Sequence, residues 1–331
     1  MRIARWLGAE GSVDEGFLID DHAVAFPQGM TVSSLLAEGL GRAIAAHREV
    51  QAGLAGGGGA SIRPLSEITL LAPLVPASVR DFVTFEEHVE GVSAGVEGKS
   101  DVAAEWYEAP TFYFTNPHTI LGPTELVVPP VTERLDLELE LAAVIGGVAG
   151  SEGRSLTAEE AAEHIFGYTL MNDWSARDLQ AREMKVRLGP AKGKDFGTTL
   201  GPWIVTADEL APYLDEDGFL PLRAEVWING QLVGEDLISN MGWPFPVLVA
   251  YASRNSRVVP GDVLGSGTVG NGGCLGELWG RNGELSPPPL REGDVVRISV
   301  EAVGELTSVI GPVQPAPALP RAVSRPRTRH R

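Results

Sequence analysis

The chain has a single cysteine, Cys274, in 331 residues. No intrachain disulfide can form, which predicts a reducing, cytoplasmic setting. Histidines number six, so cysteine- and histidine-rich zinc chemistry lacks donors. No apolar run approaches the about 20 residues of a membrane span. The start, "MRIARWLGAEGSVDEG", has no apolar signal core and reads as mature protein. Positive charge is also scarce: 26 Lys+Arg against 44 Asp+Glu give a net charge of −18. The body is more acidic still, because "RAVSRPRTRHR" at 321–331 holds five arginines and no acid. An acidic body excludes nucleic acid as a general partner. The Pro/Arg composition of the tail, taken as 316–331, predicts disorder. Two Gly-rich stretches, 56–61 and 265–273, lack the Lys-Ser/Thr of a phosphate loop and the spacing of a dinucleotide fold, which excludes nucleotide binding on motif grounds.

What is present is an ordinary globular composition, 44% hydrophobic and 21% charged, with enough length for a sizeable core. With 40 Gly, 24 Pro and only 7% aromatics, many turns and short strands are expected. Residues 1–26 read as short strands. Thr31 opens a helical stretch to about Ala52, with apolar residues at 32, 35, 36, 40, 43 and 44. "GLAGGGGAS" at 53–61 is a break, and a boundary is placed between 60 and 75. Thr157 and Glu160 form a capping-box pattern. "WINGQ" at 227–231 is a hairpin signal. Strands dominate after 170, so the expected fold class is β-rich α+β, with a small N-terminal α+β domain at 1–65 and a larger one at 70–315.

Residues 135–147, "LDLELELAAVIGG", place Asp136, Glu138 and Glu140 at alternate positions of an apolar run. As a strand, it points the three acids to one face and Leu135, Leu137, Leu139 and Leu141 to the other. Carboxylates so close repel, and burial raises the cost. A cation belongs there, or the face is plain solvent. Other polar groups collect in "RDFVTFEEHVEG" (80–91), "GYTLMNDWSARDLQ" (167–180), "GKDFGTTLGPW" (193–203) and the Gly-rich "GSGTVGNGGCLGELW" (265–279), which ends in Glu277. An all-oxygen cluster suits a hard divalent cation, Mg²⁺, Ca²⁺ or Mn²⁺. Taken singly, Asp173 also fits a helix cap, and His88 and Glu277 also fit surface or structural positions.

In this order the segments resemble the fumarylacetoacetate hydrolase family over roughly 70–315. "RDFVTFEEHV" is similar to its Asp-x6-His segment, "LDLELELAAVIG" to its Glu-x-Glu strand, "MNDWSARDLQ" to its signature, "GKDFGTTLGPW" to its lysine loop, and "SGTVGN…GCLGELW" to its Gly-Thr loop and supporting glutamate. The resemblance implies the family's mixed β-sheet roll and a divalent cation held by Asp81, Glu138, Glu140 and Asp173. It implies His88 as general base beside Glu277, with Lys194, Arg177 and Gln180 at the carbonyl pocket and Thr268 on substrate. Asp136 receives no metal role and is expected near the ligands or in solvent. A homodimer is implied, and a lid is assigned to 89–110. The implied activity is hydrolysis of a C–C bond in a β-diketo acid of the fumarylacetoacetate or acylpyruvate type. Decarboxylation, hydration or isomerisation of a 2-keto acid on the same site is the alternative, and a non-catalytic cation-binding protein is the second. Val83 and Met184 stand where the animal enzyme has aromatic hydroxyls.

Overall fold

The computed structural model describes residues 1–56, 61–97 and 102–325. Parts of the break at 53–61, of the assigned lid at 89–110 and of the tail lie outside the described residues. The tail residues 316–325 are exposed and without regular structure.

A 12-stranded, mostly antiparallel sheet is the backbone of the molecule. Its centre runs through the strands Arg2–Leu7, Thr198–Thr206, Ile165–Asp173, Leu139–Ile145, Val263–Gly265 and Val79–Phe82, in that spatial order. Val263–Gly265 and Val79–Phe82 pair in parallel, the other central pairs antiparallel. A separate four-stranded antiparallel sheet holds residues 223–237 and 295–309. Its first hairpin is the expected one. Asn229 and Gly230 both have positive φ (50° and 78°), as a two-residue turn matching strand twist requires.

Residues 1–65 build onto the large sheet. Arg2 pairs with Val205 and Ile3 with Ile204. Ile3, Phe17, Val32 and Leu35 share a core with Ala142, Val144, Ile204 and Val263. The opposite face of the same strand sends Leu139, Leu141, Ala143 and Ile145 into the main core. Both faces of Leu139–Ile145 are thus buried, which rules out the plain-solvent reading of the acid face. The predicted single strand is also interrupted: Leu135–Asp136 pairs with Ser175–Ala176, and Leu139–Ile145 belongs to the large sheet.

Two helical expectations change. The stretch from Thr31 divides at Gly39 (φ 88°) into Val32–Glu38 and Leu40–Ala55. A Cβ on Gly39 would lie 2.2 Å from the Gly147 carbonyl, and Gly147 donates its N–H to Leu36. The glycine lets the chain turn where it meets the sheet end. The second change is Phe245–Ser253, a buried helix. Its run "FPVLVAYAS" is apolar on nearly every side, so no amphipathic period announced it. The Thr157–Glu160 capping box forms as expected.

Candidate metal centre and active site

Four buried carboxylates reach one region from three strands and one irregular segment. Asp81 lies in Val79–Phe82, Glu140 in Leu139–Ile145 and Asp173 at the end of Ile165–Asp173, while Glu138 sits in the interruption before Leu139. Carboxylate oxygens of Asp81, Glu138 and Asp173 lie within 4.8 Å of one another. Glu140 joins them across Gly265, the strand residue between. A Cβ on Gly265 would stand 2.5 Å from Glu140 Oε2 and 3.1 Å from Asp81 Oδ1. The buried Arg80–Asp262 pair, 2.9 Å, ties Asp81's strand to the start of Val263–Gly265.

The four acids are compensated unequally. Glu138 is held by Lys194 Nζ and by Arg177 Nη2 at 2.7 Å. Burial raises its carboxyl, but Lys194, Arg177 and His88 outweigh this and hold it below the usual range. Asp173 accepts from Lys194 Nζ at 2.6 Å and from the Tyr113 hydroxyl. Burial still leaves it raised. Glu140 Oε2 accepts only a long bond from the Gly267 N–H, 3.2 Å. Burial, and after it the Asp81 charge, push Glu140 well up; burial and Asp173 do the same to Asp81. Asp81 Oδ1, Glu140 Oε1 and Asp173 Oδ1 are buried with no hydrogen-bond partner. Unpartnered buried oxygens of this kind are costly, and a hard cation matches them in donor type. The residues therefore fit a divalent ion, with Lys194 and Arg177 already engaging Glu138.

His88 sits in the first turns of Glu86–Glu97 and is buried. A ring nitrogen of His88, a Glu138 oxygen and Cys274 Sγ fall within 4.8 Å of one another. Burial pushes the His88 ring down to about 4, against the raising effect of Glu138. The expected partnership with Glu277 takes a different form. Among the described residues no hydrogen bond joins the two; His88 Nδ1 instead lies 3.5 Å from Cys274 Sγ. Glu277 is buried in the first turn of a helix, Leu275–Asn282, and not at a loop end as its Gly-rich approach suggested. Its carboxylate lies 2.9 Å from Arg281, four residues on. Burial lifts it to about 7, with Arg281 opposing. Its Cγ occupies the space a Cβ on Gly91 would need, 2.4 Å away, so the two helices meet one turn beyond His88.

Arg177 opens the helix Arg177–Met184 and its Nη1 donates to Gln180 Oε1 at 3.1 Å. Thr268 is buried in the Gly-rich loop. Lys194 also reaches Ser175 Oγ at 2.9 Å. Asp173 caps no helix: the turn after it starts at Ala176 without a side-chain cap. Asp136, far from solvent-facing, is fully buried against Arg177. Two residues escaped the sequence reading. Tyr113 places its ring 5.8 Å from Lys194 Nζ; its only signal was an aromatic in "PTFYFTN" with a hydroxyl to place. Cys274 gave no signal, because its neighbour His88 lies 186 residues away. Beside the centre, Tyr113, Lys194, Thr115, Asn116 and Asp195 line a cleft of about 280 Å³. Of the two departures, Val83 gives its carbonyl to Trp106 Nε1 at 2.7 Å, and Met184 is half-exposed.

Residues 77–311 match the fumarylacetoacetate (FAA) hydrolase C-terminal family. The chain belongs to the fumarylacetoacetate hydrolase family. It is 31% identical over 296 residues to the fumarylacetoacetase of Arabidopsis thaliana, covering 74% of this chain and 70% of that protein. It is 29% identical over 255 residues to the oxaloacetate tautomerase YisK of Bacillus subtilis, covering 76% of each. In fold it matches the maleylpyruvate hydrolase of Sphingobium sp. SYK-6, solved with manganese(II) and pyruvate. The TM-score is 0.67 at 22% identity, over 95% of this chain and 100% of that one. The family is one of enzymes that bind a divalent metal, and its members include hydrolases, isomerases and tautomerases. Among the described residues no helix is long and apolar enough to cross a membrane.

Proposed function

We propose that this protein is a divalent-cation-dependent hydrolase of β-diketo acids of the acylpyruvate or fumarylacetoacetate type. The observation that carries the reading is the set of three unpartnered buried carboxylate oxygens, on Asp81, Glu140 and Asp173, beside a buried His88 within reach of Glu138. Asp81, Glu138, Glu140 and Asp173 would hold Mg²⁺, Ca²⁺ or Mn²⁺. When bound, the cation supplies a Lewis acid for the oxygens of a 1,3-dicarbonyl. His88, held neutral by burial, takes a proton from water and is the general base. Glu277 supports its helix from the facing one. Arg177 and Gln180 supply donors for the oxyanion of the tetrahedral intermediate, and Lys194, whose three N–H groups go to Glu138, Asp173 and Ser175, adds its positive charge at the carbonyl pocket. Thr268 contacts substrate, and Tyr113 orients it at the cleft. The working unit in this reading is a cytoplasmic homodimer, which light scattering of the purified protein tests for mass.

A second reading is favoured by the His88–Cys274 approach and the absence of a His88–Glu277 bond among the described residues. A lone base serves keto–enol isomerisation or decarboxylation of a 2-keto acid, neither of which consumes water; hydration on the same site, the remaining member of this reading, still needs an oriented water. The test is incubation with acetylpyruvate or fumarylacetoacetate under Mg²⁺ or Mn²⁺, with and without EDTA, following enol absorbance and products. Pyruvate and acetate in equal amounts from acetylpyruvate support hydrolysis. Turnover of oxaloacetate enol without cleavage of either diketo acid supports the second reading. No metal-dependent turnover of any 2-keto or β-diketo acid leaves a non-catalytic cation-binding protein.

A further inference from the structure

Asp136, the third acid of the run, takes no part in the chemistry above. It is fully buried, and its carboxylate is saturated. Oδ1 accepts the Leu137 N–H at 2.8 Å and the Leu275 N–H at 2.7 Å. Oδ2 accepts the Gly276 N–H at 2.8 Å and Arg177 Nε at 2.8 Å. A carboxylate offers about four lone-pair positions, so none remains for a metal. The close approach is built in: a Cβ on Gly276 would lie 3.1 Å from Asp136 Oδ2 and 3.2 Å from Arg177 Nε.

We propose that Asp136 is a positioning residue for the cation site, acting through Arg177 on Glu138; the inference rests on the cation reading above. The guanidinium is held at three points. Nε is on Asp136, Nη1 on Gln180 and Nη2 on Glu138 Oε1. With the Nε edge tied, Arg177 meets Glu138 through one nitrogen. Released from Asp136, the planar fork turns onto Glu138 with two nitrogens, the geometry guanidinium and carboxylate favour, and competes with a cation for the same oxygens. Asp136 also accepts two N–H groups at the start of Leu275–Asn282, which no intrahelical carbonyl can reach. The helix carrying Cys274 to His88 and Glu277 to Gly91 is thereby anchored to the same carboxylate. An asparagine at 136 offers one acceptor oxygen and turns an NH₂ toward donors.

The experiment measures Mn²⁺ binding by electron paramagnetic resonance or calorimetry, without substrate, on the wild type, Asp81→Asn, Asp136→Asn and Gly276→Ala. The wild type is expected to bind and Asp81→Asn to lose binding. Asp136→Asn is expected to raise the dissociation constant about 10–100-fold, the range for residues that orient metal ligands. Gly276→Ala is expected to raise it less, by parting Asp136 from Arg177. Unfolding midpoints in EDTA are recorded for each. A merely structural role lowers the midpoint and leaves the dissociation constant of the folded protein unchanged; that result in Asp136→Asn overturns the proposal. If Asp136→Asn does not fold, unchanged binding in Gly276→Ala overturns it. A wild type that binds no Mn²⁺ overturns the cation reading as well, and so marks that failure apart from the failure of Asp136 alone.

Discussion

Glu140 is one of the carboxylates left unsatisfied in the protein, and replacing it should separate stability from metal binding. Its Oε1 is buried without a partner, and its Oε2 has one long hydrogen bond. Leaving such a group unsatisfied costs about 1–3 kcal/mol. The amide of Glu140→Gln removes the charge that faces Asp81 and keeps the shape. The metal-free variant is therefore expected to be more stable than the metal-free wild type by about 1–3 kcal/mol at pH 8, a shift of about 1–4 °C in the unfolding midpoint of a chain this long. The sign with pH follows from the raised carboxyl. A carboxyl higher in the folded state than in the unfolded chain stabilises below its unfolded value and loses that contribution as pH rises through the folded one. The advantage of the variant should thus grow from pH 4 upward. With Mn²⁺ at about 100 times its dissociation constant the wild type should gain about 2.7 kcal/mol, and the variant much less. Calorimetric or fluorescence melts in EDTA and in Mn²⁺ give all four numbers. A variant less stable than wild type in EDTA, with an undiminished gain from Mn²⁺, would refute the assignment of Glu140 as an unsatisfied ligand.

Glu277→Gln should become progressively more stable relative to wild type between pH 4.5 and 7, by up to about 3 kcal/mol, because burial lifts that carboxyl to about 7 and each unit is worth 1.36 kcal/mol; a flat difference in denaturant titrations would contradict its burial as an acid. His88→Ala should lower kcat on acetylpyruvate by about 10²–10⁴-fold, and full activity would remove His88 from the chemistry. In the wild type the acid limb of kcat/KM should fall well below pH 6, because burial lowers His88 to about 4; a limb at the unperturbed value near 6.5 would mean that the ring is solvated in the working enzyme.

The sequence carried the ligand types and their order along the chain, since alternation places Glu138 and Glu140 on one face and the leucines on the other. That division survives in the two cores flanking Leu139–Ile145. What alternation could not convey is where the compensation comes from. Arg177, Lys194 and the Gly267 N–H arrive from 39, 56 and 127 residues away. Asp136 looked equivalent to its neighbours because its defining donors are backbone groups of a helix about 139 residues on, and backbone N–H groups leave no mark in a residue pattern. The same holds for Cys274 at His88. Phe245–Ser253 was missed for a simpler reason, being buried on too many sides to show a period.

Gly265 gives the site an unusual vulnerability. Its missing side chain is the floor on which Glu140 and Asp81 meet, and a methyl there would also press Met171 Cε, 2.4 Å away. Alanine at 265 would act as a permanent plug: every charged group remains, the strand keeps its pairing, and the seat for an ion is filled by carbon. Gly265→Ala is therefore expected to keep all four acids and to weaken Mn²⁺ binding, which calorimetry of the variant would read. The seat for an ion in this protein is thus defined as much by the residue that lacks a side chain as by the four that carry charge.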